Sequence, residues 1–313
     1  MGKQLKIFFV TDVHGSNLCY RKYLNALKIY NVDVGILLGD LTGKVLVPLV
    51  EKANGGWETT LMGSHIEVET EEELAKLKKT IETMGYYWTH QTPDEFAAFK
   101  ADPKKVDSLF KQLMLQRLQE WIELADERLA GADFKVYMAP GNDDYFEVDK
   151  IIEDSKVIVN CNNRKVMVGD HEMITFSWTN PTPWNTPREK TDDELEPMLE
   201  ELIAQVTDKT NAIFNFHAPP YGSSLDLAPE LDEKLTQAAE RKIHVGSKAV
   251  AKMIEKYQPL VGLHGHIHES RGAQKIKRTI VINPGSEYSE GILKGAVVVL
   301  EKGKVKDYIF TSG

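Results

Sequence analysis

The sequence predicts an α/β fold whose chemistry sits at the C-terminal ends of buried strands. Three observations carry this. Short apolar runs recur along the chain and end in polar clusters. Amphipathic helical stretches fill several of the gaps between them. The polar clusters offer Asp, Asn and His, residue types that hold divalent cations.

The runs come in order. Ile7–Val10 leads into Thr11-Asp12, Val34–Leu38 into Gly39-Asp40, and Val136–Ala139 into Pro140-Gly141-Asn142-Asp143. Ala212–Phe216 leads into His217, Leu260–Leu263 into His264-Gly265-His266-Ile267-His268, and Val281–Ile282 into Asn283-Pro284-Gly285-Ser286. Runs this short, bounded by Gly, Pro and Asn, fit buried strands, and α/β folds place their sites beyond the carboxyl ends of such strands.

The helices have their own signals. Leu18 to Tyr30 follows Ser16-Asn17, where capping residues stand. Ser247 to Tyr257 opens on a capping residue and stops before Pro259. Asp192-Asp193-Glu194 suits the first turn of a helix. Ala296 to Phe310 suits a hairpin with Lys302-Gly303 near its turn. The run Trp178–Asn185 holds prolines that exclude regular structure. Its Trp178 and Trp184 either stack on a base in the pocket or pack on the core.

From about Glu58 to Gly131 the strand-then-polar pattern stops. Glu71–Met84 and Val106–Leu129 are charged and helical in period. This stretch is either a helical insertion or cap between two core strands, or the helical layer over the sheet. The first reading gives a single domain over 1–313 with an insertion over 58–131.

Composition narrows the function. A chain of 313 residues, 42% hydrophobic, can bury a core without disulfide staples. A net charge of −9 argues against a broad duplex-DNA footprint, which needs clustered Lys and Arg. It leaves room for a small anionic substrate held by metal ions. Cys19 and Cys161, the two cysteines, suit a reducing compartment. The apolar stretch Leu5–Val10 is broken by Lys6 and is too short for a signal peptide or a membrane span. The expectation is a cytoplasmic protein.

The candidate ligands are Asp12 and His14 (D-x-H), Asp40, Asn142, His217, and His266 with His268 (G-H-x-H). Side chains two apart on an extended segment share a side, so each pair can reach one place. Carboxylate, imidazole and amide donors together suit Mn, Fe, Zn, Co or Ni, and suit neither a thiolate zinc site nor an all-oxygen calcium site.

D-x-H, G-D, G-N-x-D, H and G-H-x-H, in this order from Asp12 to His268, resemble the calcineurin-like metallophosphoesterases. His217-Ala218-Pro219-Pro220-Tyr221-Gly222, Leu263 to Ser270 and Asn283-Pro284-Gly285-Ser286 look like the Icc-related prokaryotic branch. The resemblance implies a four-layer α/β/β/α sandwich of two packed sheets with helices outside. It implies two divalent metal ions, one on Asp12, His14 and His268, the other on Asn142, His217 and His266, with Asp40 bridging. It implies hydrolysis of a phosphoester by in-line attack of a hydroxide shared by the metals. Manganese is among the metals expected.

The family usually has a histidine after the asparagine of the third motif; here that position is Asp143. By charge count, two divalent cations less Asp12, Asp40 and the hydroxide leave about one positive charge, which an ionised Asp143 cancels. This penalises a phosphomonoester dianion more than a diester monoanion, so the expectation is a phosphodiesterase-like enzyme with Asn142 and Asp143 as catalytic residues. Asp143 alternatively binds a sugar hydroxyl or a third cation, or points away. Asn17, Tyr221 and Arg271 flank the motifs and are candidate contacts to a small phosphoester or nucleotide-like substrate. The rivals are a phosphatase of the same fold, a nuclease or cyclic-nucleotide phosphodiesterase, and a non-catalytic scaffold for protein partners.

Overall fold

The computed structural model describes residues 4–231 and 237–313. β1 (Leu5–Thr11), α1 (Asn17–Ile29) and β2 (Val34–Leu38) open the first sheet. The chain then leaves through β3 (Leu46–Glu51), β4 (Trp57–Leu61), β5 (Ser64–Val68), α2 (Glu71–Thr83), β6 (Tyr87–Gln91) and α3 (Pro93–Ala101). The long α4 (Pro103–Leu129) leads back to β7 (Lys135–Ala139), α5 (Val148–Glu153) and β8 (Ile158–Asn160). The second half runs β9 (Lys165–Val168), β10 (His171–Phe176), α6 (Asp192–Ala204), β11 (Ile213–Phe216), β12 (Leu227–Leu231) and β13 (Gln237–His244). It continues through α7 (Lys248–Tyr257), β14 (Val261–Leu263), β15 (Gly272–Ile276), β16 (Thr279–Asn283), β17 (Lys294–Glu301) and β18 (Lys304–Ser312).

Two six-stranded sheets form, ordered β18-β17-β1-β2-β7-β8 and β15-β16-β14-β11-β10-β9. Strand alternation sorts their side chains into layers. Phe8, Val10, Leu37, Val136 and Met138 share one core with Tyr20, Tyr23, Leu27, Trp121 and Ile152 of α1, α4 and α5. Their neighbours Ile7, Phe9, Ile36, Leu38 and Tyr137 share another with Met173, Ile213, Val261, Leu263 and Ile282 of the second sheet. Ile174, Phe176, Phe214 and Phe216 meet Leu195, Leu199, Val250 and Met253 of α6 and α7. The result is the helix–sheet–sheet–helix sandwich expected. Phe9 is fully buried between the sheets, and truncating such a ring to alanine costs about 3–5 kcal/mol.

β1, β2 and β7 are parallel in one sheet, and β10, β11, β14 and β16 in the other. The carboxyl ends of each set therefore share an edge, and the polar clusters gather there. Ser16 caps α1 by accepting from the Cys19 N–H, 3.3 Å. Thr191 and Glu194 form a capping box on α6, as the acidic run suggests. β17 and β18 form the expected hairpin.

The stretch 58–131, expected to be helical, is mixed. It holds α2, α3 and α4, and also β4, β5 and β6. With β3, these strands form a separate sheet, β5-β4-β3-β6, which shares a core with Leu74, Leu77 and Ile81 of α2. β4 reads WETTL and β5 SHIEV, so more than half their positions are polar. They lack the wholly apolar signature of a strand buried on both faces. Pairing fixes them instead: Leu61 lies opposite Ser64 across Met62-Gly63, both with positive φ (51° and 77°), as a tight hairpin turn requires. α4 joins the helical layer over the first sheet through Leu118, Trp121, Ile122 and Ala125. Among the described residues no helix is long and apolar enough to cross a membrane, and Cys19 and Cys161 are both buried and free.

Candidate metal centre

Five strand ends meet at the seam between the two sheets. β1 delivers Asp12 and His14, β2 Asp40, β7 Asn142, β11 His217, and β14 His266 and His268. Glycine makes the approach possible. A Cβ at Gly39 would lie 2.0 Å from His217 Nδ1, one at Gly141 2.2 Å from Asp40 Oδ1, and one at Gly265 2.5 Å from Asp12 Oδ2. The G-D, G-N and G-H-x-H motifs each place glycine where a neighbouring donor must pass.

Three overlapping groups of donors result, the third being His14, Asp40 and Asp143. Asp12, His14 and His268 present donor atoms within 4.8 Å of one another, and Asp40, His217 and His266 do the same. His14 Nε2 and His268 Nε2 are 3.0 Å apart. His268 Nε2 is 3.6 Å from Asp12 Oδ1. In the second group His217 Nε2 lies 3.1 Å from Asn142 Oδ1. Asp40 stands between the groups, with Oδ2 3.7 Å from His14 Nε2 and Oδ1 3.4 Å from His217 Nε2.

The donors are aimed by their neighbours. Asp12 Oδ2 accepts from Thr11 Oγ1 at 2.7 Å and from the His266 N–H at 3.0 Å, which leaves Oδ1 facing the histidines. Asn142 Nδ2 donates to Thr186 Oγ1 at 2.8 Å, so its carbonyl oxygen turns inward. Thr186 is itself held by Glu189 Oε1 at 2.5 Å. Buried Asp144 accepts from the N–H groups of Leu41, Thr42 and Gly141 and from the Thr42 hydroxyl, pinning the Asp40 loop to the Asn142 loop. Asp12, His14, Asp40 and His266 all have positive φ (54°, 39°, 40° and 68°). Such conformations cost non-glycine residues about 1–3 kcal/mol each and cluster at functional sites.

The electrostatics ask for positive charge. Burial pulls His217 down, but the carboxylates of Asp40 and Asp12 outweigh it and hold the imidazole up to about 9. Burial raises Asp40, and His217 more than reverses this, so its carboxyl sits well below its ordinary value. Burial, with His217 beside it, takes His266 down to about 4. Burial, reinforced by Lys44, takes His14 well below its usual value. Asp12 Oδ1 is buried with no hydrogen-bond donor among the described residues, which is costly unless a cation meets it. Two carboxylates, an amide oxygen and four imidazoles around that orphaned oxygen fit Mn, Fe, Zn, Co or Ni.

The remaining candidates divide. Asp143 faces the cluster: Oδ2 is 3.9 Å from His14 Nδ1 and pairs with Lys44 Nζ, and its N–H donates to Asp40 Oδ1 at 3.0 Å. Burial and the Asp40 charge push its carboxyl up to about 7, against the pull of Lys44. Asn17 is engaged within the fold. Its Oδ1 accepts from Trp121 Nε1 at 2.6 Å and its Nδ2 donates to Glu82 at 3.0 Å, tying α1 to α4 and α2. Arg271 lies over the Phe310 ring, 5.1 Å from its centroid, and donates to the Thr311 carbonyl. Tyr221 is exposed beside His244 and Lys248. Sequence reasoning missed Lys44, Thr186 and Tyr288, whose ring packs 4.6 Å from that of His14. None of them belongs to a motif.

No family model matches the chain. Over 166 residues, 52% of this chain and 70% of the relative, it is 34% identical to the uncharacterized protein MJ1162 of Methanocaldococcus jannaschii. Two crystal structures match over 99% of both chains. One has a TM-score of 0.60 at 16% identity. The other, TT1561 of Thermus thermophilus, has a TM-score of 0.53 at 13% identity. At such identities the two structures show a shared fold. The chain belongs to the family of the Methanocaldococcus jannaschii protein, and it shares the α/β sandwich fold of TT1561.

Proposed function

We propose that this protein is a dinuclear metal-dependent phosphoester hydrolase. The observation that carries the reading is Asp40, whose two oxygens face the two donor groups, Oδ2 toward His14 and Oδ1 toward His217. Asp12, His14 and His268 would hold one cation, and Asn142, His217 and His266 the other, with Asp40 shared. Cations so held supply the acidity that activates a water at neutral pH and the charge that stabilises phosphoryl oxygens.

The chain's own residues do the rest. Asp12 Oδ1 is kept turned to His268 and His217 by the bonds on Oδ2. Thr186 keeps the Asn142 amide from rotating. Asp143 stands at the mouth, where the Lys44 ammonium offsets its charge. Attack on phosphorus is in line, by water, with no covalent enzyme intermediate.

The substrate is a small phosphoester, with diesters ahead of monoesters. A charge count from the motifs alone makes this preference large, because an ionised Asp143 repels a dianion twice as strongly as a monoanion. Lys44 cancels most of that field, so the preference is modest, on the order of a few fold. Lys44 is also the observation that keeps a phosphomonoesterase as the second reading.

The test is metal-stripped protein reloaded with Mn, Fe, Zn, Co or Ni in turn and assayed on matched chromogenic mono- and diesters. Nucleotide, cyclic-nucleotide and lipid-headgroup esters follow, with Asp40→Ala as control. Turnover that depends on metal and vanishes in Asp40→Ala supports the reading. A loaded wild type that cleaves no phosphoester ends it.

A further inference from the structure

Lys44 reaches the centre from a turn held by several tertiary contacts. The turn that carries Asp40 runs on through Leu41-Thr42-Gly43 to Lys44, just before β3. Asp144 grips Thr42 by its N–H at 2.9 Å and its hydroxyl at 2.7 Å. The Gly43 N–H donates to the Tyr87 hydroxyl at 2.9 Å. Gly43 is pressed against the chain between α2 and β6: a Cβ there would lie 1.8 Å from the Gly85 carbonyl oxygen. Gly85 in turn lies on the His14 loop, where a Cβ would be 2.0 Å from the His14 carbonyl oxygen. The small sheet and its helices are thereby packed onto the loops of Asp40 and His14, and the backbone just before Lys44 is held at Thr42 and Gly43.

The side chain is aimed as well. Nζ pairs with Asp143 Oδ2, the oxygen that faces His14. The Lys44 side chain remains 48% exposed, while that of Asp143 is only 12% exposed. Tyr288 closes the wall, its ring 4.6 Å from His14 and 5.8 Å from His268. An ammonium has three N–H donors, and Asp143 takes one. With the Lys44 side chain half exposed, the others are open to an anionic oxygen, which would gain a charge-assisted bond.

We propose that Lys44 Nζ, positioned by Asp143, contacts an anionic phosphoryl oxygen of the substrate. This rests on the phosphoester-hydrolase reading above. It gives the Lys44–Asp143 pair a binding role in which Asp143 is a positioning residue. The alternative is that Lys44 only balances the Asp143 charge.

The experiment compares manganese-loaded wild type, Lys44→Met, Lys44→Arg and Lys44→Met/Asp143→Asn on bis(p-nitrophenyl) phosphate, with inorganic phosphate as competitive inhibitor. Lys44→Met is expected to lose about 10- to 100-fold in kcat/KM and about 10-fold in phosphate affinity. Lys44→Arg, which keeps donors and charge, is expected to retain most of both. The double variant is expected to stay impaired, because its neutral amide relieves the repulsion without restoring the ammonium donor. Recovery of the double variant to wild-type kcat/KM and phosphate affinity overturns the proposal, as does an unaffected Lys44→Met, while the hydrolase reading stands. A wild type inactive with every metal and every ester of the screen above sinks the hydrolase reading and this proposal together. Thermal unfolding midpoints identify a variant that has merely lost its fold, and Lys44→Arg then decides.

Discussion

Asp144 holds Thr42 twice, taking its N–H at 2.9 Å and its hydroxyl at 2.7 Å on the same oxygen, Oδ1. The other oxygen takes the N–H groups of Leu41 at 2.9 Å and Gly141 at 2.8 Å. Asp144→Ala strips these buried donors of their acceptor. We expect a loss of about 3–5 kcal/mol in unfolding free energy, read from urea titration. A loss below about 1 kcal/mol would mean that water or a loop shift replaces the carboxylate readily.

Thr186→Val removes the acceptor that orients the Asn142 amide while keeping its bulk. Metal affinity is expected to fall about 10-fold, the usual size of an outer-partner effect. Competition against a fluorescent chelator measures it. An unchanged affinity would show that Asn142 is held by His217 and its own loop alone.

Asp143→His puts an imidazole where the carboxylate now pairs with Lys44. The ratio of monoester to diester turnover is expected to rise by about 10-fold, as a negative charge leaves the mouth and a proton donor enters it. Parallel assays on matched chromogenic esters read the ratio. A fall would reverse the charge argument.

Glu172 predicts an acid-sensitive contribution to stability away from the centre. Burial raises its carboxyl, and the N–H groups of Asp208 and Thr207 with Lys165 more than offset this, bringing it from 4.5 to about 2. The folded state therefore favours the carboxylate. The stabilisation is whole above the unfolded value near 4.5 and is lost as pH falls through about 2. The gap in unfolding midpoint between wild type and Glu172→Gln should be widest near neutrality and narrow progressively below pH 4.5. A gap independent of pH contradicts this.

The donors of the centre are legible in the sequence because parallel strands buried on both faces are apolar throughout and stop abruptly at a polar residue. Asp12, Asp40, Asn142, His217 and His266 each mark such a stop. Lys44 is not legible. It lies beyond the motif, and tertiary contacts aim it: Asp144 on Thr42, Tyr87 and Gly85 on Gly43, and Asp143 on its ammonium. Thr186 reaches Asn142 from 44 positions away, and no local pattern announces that. Asn17, near His14 and read from the sequence as a capping residue or a substrate contact, has its amide bound by Trp121 on α4 and Glu82 on α2, which no local pattern announces. β4 and β5 escape notice because their identity lies in mutual pairing, which composition does not record.

The proposed ligand set draws on both halves of the polypeptide. Asp12, His14, Asp40 and Asn142 arrive with one sheet, and His217, His266 and His268 with the other. Neither sheet by itself completes a coordination sphere, so ions captured here would act as rivets across the seam. During synthesis the cage stays open until residue 268 has left the ribosome, and the chain then returns as β17 to pair with β1.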